Sequence, residues 1–342
     1  MRRIRFFIIA SVLASTVHAQ PGGQVLFSSK TDPGVSCYRI PAMVTASNGD
    51  LVVAADQRVA SCDDLRGNRD INIVIRTSTD NGDTWSDIRT VVDYPLGCSA
   101  SDPSLITDHV TGEIFLFYNY MDLDRERDVY YFKVIRSKDN GKTWSPPQDI
   151  TSLITPREWE HDFKFITSGE GARTKSGKLI HTLVNLNRGV YLFASDDHGG
   201  SWYLIDQPLP VGDESKVIEL DDGTWMVNSR VNGSGCRYVH ISADEGKTWM
   251  SKPDTTLADP GCNASLLRKG DTLLFSNPDH KKERKNLTIR MSIDNGKTWR
   301  AGTVIHAGNS AYSTMTLLAT GEVGILYERN DYSELVFTRI TL

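Results

Sequence analysis

Ser78-Thr79-Asp80-Asn81-Gly82-Asp83-Thr84-Trp85 is the first of five copies of one octapeptide in a chain of 342 residues. The copies share the form Ser-x-Asp-x-Gly-x-Thr/Ser-Trp, and the other four begin at Ser137, Ser195, Ser242 and Ser292. Asp-x-Gly is typical of tight connections between strands, because aspartate bonds nearby backbone groups and glycine tolerates positive φ. β-branched and aromatic runs precede the copies, as at residues 71–76 and 129–135. We therefore predict that the repeats form hairpin turns that set the fold and take no part in chemistry.

The spacing of these repeats predicts the architecture. Successive copies begin 59, 58, 47 and 50 residues apart, a mean of 53.5. A period of this length, with four strands in each unit, is typical of a β-propeller. Residues 20–342 have the length of six such units. We predict an all-β fold with one six-bladed β-propeller over residues 20–342, its last blade closed by strands from both ends of the chain.

The first 19 residues have the pattern of a secretory signal peptide. A basic start, a short apolar run and a small-x-small end predict cleavage near Ala19 and export to the periplasm or the extracellular space. No later segment reaches 18 apolar residues, so we expect no membrane span. The formal net charge of −5 argues against nucleic acid as a partner.

Two further features carry no predicted chemistry. The chain has five cysteines, an odd number that leaves at least one thiol unpaired, and the sequence leaves their pairing open. They form no Cys-x-x-Cys motif and no Cys/His cluster, so we expect no metal and no cofactor. The charged run at residues 281–285, Lys-Lys-Glu-Arg-Lys, is typical of a solvated turn.

Four arginine-bearing segments suggest a site for an anion. They are Tyr-Arg-Ile-Pro around Arg39, Val-Asn-Ser-Arg ending at Arg230, Cys-Arg-Tyr-Val around Arg237 and Thr-Ile-Arg-Met-Ser around Arg290. A single arginine is most often part of a surface ion pair. Loops at one end of a propeller converge on its axis, so arginines distant in sequence can share one site, and guanidinium groups suit bidentate recognition of a carboxylate.

Tyr-Arg-Ile-Pro followed by five such repeats, which are Asp-boxes, resembles the exo-α-sialidase (neuraminidase) family over essentially the whole chain after residue 19. The resemblance implies a retaining glycoside hydrolase on a six-bladed propeller, acting on sialylated glycans, glycoproteins or glycolipids through a sialyl-tyrosine intermediate. Two alternatives remain open: a trans-sialidase with the same catalytic groups, and a non-catalytic carbohydrate-binding propeller.

The same resemblance implies three arginines that bind the sugar carboxylate. By motif they are Arg39, Arg230 and Arg290. Arg237 is an alternative for the second position, although its alternation within Arg-Tyr-Val-His-Ile suits a strand residue better.

The nucleophile implied by the resemblance is Tyr312, in Asn-Ser-Ala-Tyr-Ser-Thr-Met, and its proton acceptor is Glu214, in Gly-Asp-Glu-Ser-Lys. Sialidases are the glycosidases that use tyrosine instead of a carboxylate as nucleophile. A carboxylate nucleophile would repel an anionic sugar. A neutral phenol avoids that repulsion, but with a pKa near 10 it needs a base and nearby positive charge.

The remaining acidic residues are also assigned by resemblance. Asp64 is the expected acid/base on a loop before the first repeat, with Asp63 as the open alternative. This role calls for a slightly raised pKa. Glu328, in Leu-Tyr-Glu-Arg, is expected to pair with Arg39, and Asp102, in Ser-Asp-Pro, to line the pocket.

Overall fold

A computed structural model describes residues 23–342 and the backbone of His18–Ala19. The predicted signal peptide, residues 1–19, therefore lies outside the described residues except for the backbone of its last two. One short α-helix (Thr151–Ile154) and one 3-10 turn (Arg157–Trp159) interrupt a chain of strands. In chain order, the strands are β1 (His18–Ala19), β2 (Gln24–Ser28), β3 (Cys37–Thr45), β4 (Leu51–Arg58), β5 (Ile71–Ser78), β6 (Arg89–Val92), β7 (Cys98–Thr107), β8 (Ile114–Asp122), β9 (Tyr131–Ser137), β10 (Gln148–Asp149), β11 (Lys164–Ile166), β12 (Gly169–Glu170), β13 (Ala172–Arg173), β14 (Leu179–Asn185), β15 (Gly189–Ser195), β16 (Tyr203–Leu209), β17 (Ser215–Glu219), β18 (Trp225–Ser229), β19 (Cys236–Ser242), β20 (Met250–Ala258), β21 (Ser265–Lys269), β22 (Thr272–Pro278), β23 (Lys285–Ser292), β24 (Thr303–Leu317), β25 (Val323–Arg329) and β26 (Glu334–Thr341).

Neighbouring strands in sequence pair antiparallel, and over the described residues they form five hydrogen-bonded sheets. Two sheets are simple four-stranded meanders, β3–β6 and β17–β20, and two more contain β7–β10 and β14–β16 with short added strands. The largest sheet combines β21–β26 with β1 and β2. Its 15-residue strand β24 pairs with β23 through its first half and with β25 through its second half. Strand β2 pairs with β26, so the two ends of the described chain meet in one sheet.

The sheets surround a common axis. The ends of β3, β7, β17, β21 and β24 line one central cavity of about 420 Å³. Apolar side chains fill the space between adjacent sheets, for example where Val52 and Ile75 of one sheet pack with Leu116 and Ile135 of the next. The architecture is an all-β propeller, in agreement with the predicted fold class.

Each repeat lies between the third and fourth strand of its four-stranded unit and makes the same hydrogen bonds. In the first copy, Ser78 Oγ donates to Asp80 Oδ1 (2.8 Å) and accepts from Gly82 N (2.8 Å), while Thr84 Oγ1 donates to Asp80 Oδ2 (2.6 Å). The four other copies repeat these bonds. The residue before each glycine has a φ of 56–60°, and Gly82 follows with 88°. The turn therefore needs two consecutive left-handed residues, which explains the glycine.

These bonds predict how stability depends on pH. They hold the pKa of the repeat aspartates at about 2, namely of Asp80, Asp139, Asp197, Asp244 and Asp294. Because the folded-state pKa lies below the unfolded value of roughly 3.9, the stability that they contribute is present above that value and is lost as pH falls toward 2. We expect the urea midpoint, followed by tryptophan fluorescence, to fall steeply between about pH 4 and pH 2.

Asp139→Asn is the matched variant for that measurement. It removes one of the five titrating carboxylates, so its midpoint should fall less steeply than that of the wild type over the same range. A wild-type midpoint that stays constant between pH 4 and pH 2 would contradict the assigned role of these bonds.

Candidate active site

The predicted site residues other than Arg290 come from distant strands and lie at the end of the sheets opposite the repeats. In the first unit, Ser78 of the repeat pairs with Leu51, whereas Arg39 pairs with Asp56 at the other end of the same sheet. In the unit of β17–β20, Ser215, which follows Glu214, pairs with the far end of β18. The repeats therefore shape the scaffold at one end, and the chemistry-bearing side chains collect at the other.

Local irregularities in three strands redirect side chains at the end of the sheets opposite the repeats. Strands β3, β7 and β24 each shift register there, between Arg39 and Ala42, between Ser101 and Ser104, and between Ser310 and Ser313. Such bulges redirect side chains and are frequent at functional sites. Two of them contain left-handed residues, Ile40 with φ 59° and Asp102 with φ 61°. For the β-branched Ile40 this conformation is strained, and strain of this kind clusters at functional sites.

A tyrosine, a glutamate and an arginine form the centre of the site. Tyr312 Oη donates to Glu214 Oε2 at 2.8 Å. Arg230 Nη1 donates to the same carboxylate oxygen at 2.6 Å and lies 3.4 Å from Tyr312 Oη. Both Tyr312 and Glu214 are buried. The tyrosine is thus hydrogen-bonded to a proton acceptor beside a positive charge.

Burial dominates the acid–base properties of this pair. It raises the pKa of Tyr312 well above the usual value, helped by the Glu214 charge and opposed by Arg230 and Arg284. Burial also raises the pKa of Glu214, and the Arg230 guanidinium counteracts this rise. A carboxylate with a raised pKa is a stronger base, and the phenol that it contacts stays neutral until it reacts.

Arg39 is held by Glu328. Its Nε donates to Glu328 Oε1 at 2.9 Å, and its Nη2 lies 3.4 Å from Glu328 Oε2. The same carboxylate accepts the backbone N–H groups of Ile40 (2.9 Å) and Tyr312 (3.1 Å). Glu328 therefore ties the two bulged strands together and orients Arg39, while the Arg39 Nη1 edge points toward Asp64, 4.0 Å away.

Asp64 lies on the loop that follows β4, with its side chain 82% exposed. The loop is attached twice: Arg58 Nη1 donates to the Cys62 carbonyl and to Asp64 Oδ1, both at 2.8 Å, and a disulfide joins Cys62 to Cys37. Asp63 hydrogen-bonds Ser61 (3.1 Å). Both aspartates line one cavity with Glu214 and Tyr312. Of the two aspartates, Asp64 is the one within reach of Arg39.

The raised pKa expected for Asp64 is not found in the ligand-free structure. Although the side chain is largely exposed, the protein around it displaces some water and pushes its pKa upward. The positive charges of Arg58, Arg39 and Arg284 outweigh this effect and lower the pKa below the usual value. The expected rise follows from the proton-donor role alone, whereas the neighbouring arginines determine the pKa in the folded chain. Arg58 was not among the predicted residues.

Asp102 is the carboxyl group that shows a strongly raised pKa. Burial, together with the charges of Asp56 and Asp64, raises the pKa of Asp102 to about 8. Its carboxylate accepts from Asn119 Nδ2 at 2.9 Å, and its backbone N–H donates to Asp56 Oδ1 at 2.9 Å. Asp102 lines a cavity of about 550 Å³ together with Tyr312 and Glu214. Aromatic and aliphatic side chains cover part of the cavity wall, namely Tyr130, Phe163, Phe165 and Leu186.

The structure does not bring Arg290, the predicted third arginine, together with the other predicted site residues. Arg290 pairs with Asp279 at 2.6 Å, and no contact among the described residues joins it to Tyr312, Glu214 or Arg39. Arg284 occupies the expected place, with its Cζ 5.3 Å from the centre of the Tyr312 ring. Six residues of mostly extended chain, roughly 20 Å, separate the two arginines along the sequence. The motif therefore selects an arginine at the end of β23 that lies away from Tyr312.

Arg284 belongs to the charged run that was predicted to be a solvated turn. Residues 281–283 of this run are exposed, as predicted, but Arg284 is half-buried. Its Nη2 donates to the Gly261 carbonyl at 2.8 Å and its Nη1 to Tyr332 Oη at 3.3 Å. The sequence offered one signal for it, an arginine immediately before a strand, the position that Glu214 also has.

Arg237, the alternative for the second position, is a core residue. It is fully buried, with Nε bonded to Asn228 Oδ1 at 2.8 Å and Nη1 paired with Asp259 at 3.1 Å. Of these two arginines, Arg230 is the one that contacts Glu214 and Tyr312.

Comparison with known proteins agrees with this geometry. A family model described as a BNR repeat-like domain matches residues 49–325. A sialidase of Micromonospora viridifaciens is 34% identical, over 96% of this chain and 58% of that protein, and a sialidase of Bacteroides fragilis is 29% identical, over 91% and 63%. A solved Hadza microbial sialidase superposes with a TM-score of 0.82 at 31% identity, covering 90% of this chain and 66% of that one. This chain thus spans about three fifths of the length of the two curated relatives. The resemblance to sialidases inferred from the sequence is confirmed, and the chain belongs to the BNR repeat-like family.

Proposed function

We propose that this protein is an exo-α-sialidase that hydrolyses terminal sialic acid from glycoconjugates with retention of configuration. The observation that carries the proposal is the contact of Tyr312 Oη with Glu214 beside Arg230, with Arg39 and Arg284 near the same phenol ring. A phenol surrounded by three guanidinium groups suits an anionic sugar, because the arginines bind the carboxylate and the neutral nucleophile does not repel it.

The first step of the proposed mechanism forms a covalent intermediate. The substrate carboxylate binds between Arg39, Arg230 and Arg284. Tyr312 Oη attacks the anomeric carbon and transfers its proton to Glu214, while Asp64 gives a proton to the glycosidic oxygen as that bond breaks. The aglycone leaves as an alcohol. Glu214 suits this role because its raised pKa makes it a stronger base than an exposed glutamate.

The second step releases the sugar. The Asp64 carboxylate takes a proton from a water molecule that attacks the anomeric carbon. The bond from that carbon to Tyr312 Oη breaks, and the phenolate recovers its proton from Glu214. Two displacements at one carbon give net retention. The positive charges near Tyr312 stabilise the phenolate as it leaves.

We propose that substrate binding raises the pKa of Asp64, so that its carboxyl group carries the proton needed for catalysis. In the ligand-free site, Arg58 and Arg39 lower its pKa, so the proton needed for catalysis is mostly absent. A bound carboxylate neutralises part of the charge of Arg39, which lies 4.0 Å from Asp64, and it displaces water from the exposed side of Asp64. Both changes raise the pKa of Asp64 toward the acidic range in which sialoside cleavage is expected.

The remaining assignments of the proposal concern the pocket, the scaffold and the location. Asp102, with a pKa of about 8, is a neutral acid at mildly acidic pH and can both donate to and accept from a sugar hydroxyl. We propose six blades, one starting from each of β3, β7, β11, β17, β21 and the second half of β24, with Asp-box turns in the first five. We also propose export after cleavage near Ala19. The Cys37–Cys62 disulfide supports export, because such bonds persist in oxidising compartments. No helix of the described residues is long and apolar enough to cross a membrane.

A fluorogenic α-sialoside tests the proposal directly. We expect release of the fluorophore at mildly acidic pH and, by proton NMR, formation of the α-anomer of sialic acid before mutarotation. Absence of release would favour a carbohydrate-binding propeller. Accumulation of a new sialoside when lactose is present would instead indicate transfer.

Asp64→Asn should slow the cleavage of substrates with poor leaving groups more than the cleavage of substrates with good leaving groups. General-acid catalysis contributes about 10²- to 10⁴-fold, so turnover of sialyl-lactose should fall by about that factor, while an aryl sialoside loses less than about tenfold. The measurement is kcat/KM for both substrates.

Asp63→Asn is the matched control for this prediction, since Asp63 lines the same cavity but bonds to Ser61. It should change either rate less than about threefold. A larger loss with Asp63→Asn than with Asp64→Asn would reassign the acid.

A further inference from the structure

The hairpin turn between β25 and β26 has an unusual backbone. Asn330, Asp331 and Tyr332 have φ values of 52°, 52° and 66°, so three consecutive residues other than glycine are left-handed. Asparagine and aspartate tolerate this conformation, whereas a bulky tyrosine rarely adopts it. A strained turn of this kind persists only where contacts with the surrounding structure enforce its conformation, and such sites are often functional.

Hydrogen bonds at both ends of this turn hold the strained backbone. Ser333 Oγ donates to the Asn330 carbonyl at 2.7 Å, and Asn330 Nδ2 donates to Glu334 Oε2 at 3.0 Å. Asn309 Nδ2, from the neighbouring strand β24, donates to Asp331 Oδ1 at 2.5 Å. The turn is therefore tied to the strand that carries Tyr312.

The strained turn places Tyr332 between two arginines of the site. The Cζ of Arg39 lies 4.0 Å from the centre of the Tyr332 ring, a cation–π distance. Tyr332 Oη accepts a hydrogen bond from Arg284 Nη1 at 3.3 Å. The ring also packs against the cluster of Ile40, Cys262, Ala311 and Tyr312. One side chain thus contacts two guanidinium groups that come from opposite ends of the sequence.

A phenol suits this position better than a carboxylate would. Two guanidinium groups that face one ligand repel each other and require fixed planes before the ligand arrives. Glu328 already holds the Nε edge of Arg39, and stacking on its face leaves the Nη1 edge directed toward Asp64, 4.0 Å away. A neutral ring and a hydroxyl acceptor orient both groups without the negative charge that would compete with a bound anion.

We propose that Tyr332 is a positioning residue that fixes Arg39 and Arg284 for bidentate recognition of the substrate carboxylate. This inference rests on the proposed sialidase function. It predicts that Tyr332 determines how strongly the site prefers an anionic sugar over its neutral ester, although Tyr332 takes no part in proton transfer or nucleophilic attack.

Two variants separate the contacts of Tyr332. Tyr332→Phe keeps the ring over Arg39 and removes the hydrogen bond to Arg284, and KM for an aryl sialoside should rise about threefold. Tyr332→Asn removes both contacts but tolerates a left-handed backbone, and KM should rise about tenfold or more, with kcat changed less than about threefold. The ratio of kcat/KM for the sialoside over its methyl ester should fall by the same factors, since the ester offers no anion.

Tyr203→Phe is the matched control, because it removes a tyrosine hydroxyl bonded to the surface residue Asp196 and should leave KM and the acid/ester ratio unchanged. If Tyr332→Asn does not fold, Tyr332→Phe carries the test. An unchanged acid/ester ratio in an active, folded variant would overturn the inference.

If the wild type hydrolyses no sialoside, the proposed function fails instead. Calorimetric binding of free sialic acid then makes the same comparison without turnover, and equal affinity of wild type and Tyr332→Asn would overturn the inference.

Discussion

Tyr312→Phe should lower kcat for an aryl sialoside by about 10⁴-fold or more, because it deletes the oxygen that forms the bond to the anomeric carbon. KM should change far less, since Arg39, Arg230 and Arg284 remain to bind the carboxylate. A fluorinated sialosyl donor, which slows the second step, should add one sugar mass to the wild type. Peptide mapping should place that mass on Tyr312, and the variant should remain unlabelled.

Glu214→Gln tests the other half of this pair. The amide still accepts a hydrogen bond from Tyr312 Oη, now 2.8 Å from Glu214 Oε2, but it cannot take up the proton. Its kcat should fall by about 10²- to 10⁴-fold, and the acidic limb of the pH profile should disappear. Burial raises the pKa of Glu214, so in the wild type this limb should lie above the usual range for glutamate.

For the Tyr312→Phe variant, covalent labelling by the fluorinated donor would show that another residue is the nucleophile.

The fold was predictable because its signal is local and repeated. Each repeat requires a serine, an aspartate and a glycine at fixed spacing to close one turn, as the bonds of Ser78 and Asp80 show. Five such turns at a near-constant period determine where the third strand of each unit ends. No comparable pattern marks the short added strands β11–β13 or the turn that holds Tyr332, because their form depends on tertiary contacts.

The site was predictable where a motif coincides with the irregular end of a strand. Arg39 and Tyr312 lie at the bulges of β3 and β24, and Glu214 immediately precedes β17. The motifs pointed to residues that the fold brings together, because the backbone there depends on the residues of the motif itself. The lowered pKa of Asp64 was not predictable, since it depends on Arg58 and Arg39, which approach Asp64 only in the folded chain.

The choice between Arg290 and Arg284 shows the limit of a motif read along one strand. Both arginines belong to the segment of β23, and their sequence contexts are equally plausible. Only the fold shows that Arg284 lies against the Tyr312 ring, while Arg290 pairs with Asp279. A run of charges such as residues 281–285 resembles a solvated turn even when one of its members faces a pocket.

Arg284→Met should therefore lower kcat/KM for sialosides roughly 30- to 5,000-fold, the range expected when a charge partner worth about 2–5 kcal/mol is removed. Arg284→Lys keeps the charge but loses the planar fork and should recover only part of the activity. Arg290→Met is the matched control, since Arg290 lies in β23, the strand that Arg284 immediately precedes. It leaves Asp279 without its partner and should lower the melting temperature, yet change KM less than about threefold. The reverse result would be a KM that rises with Arg290→Met and stays constant with Arg284→Met. It would restore the assignment made from the sequence. The carboxylate site would then lie deeper along β23 than the contacts around Tyr312 imply.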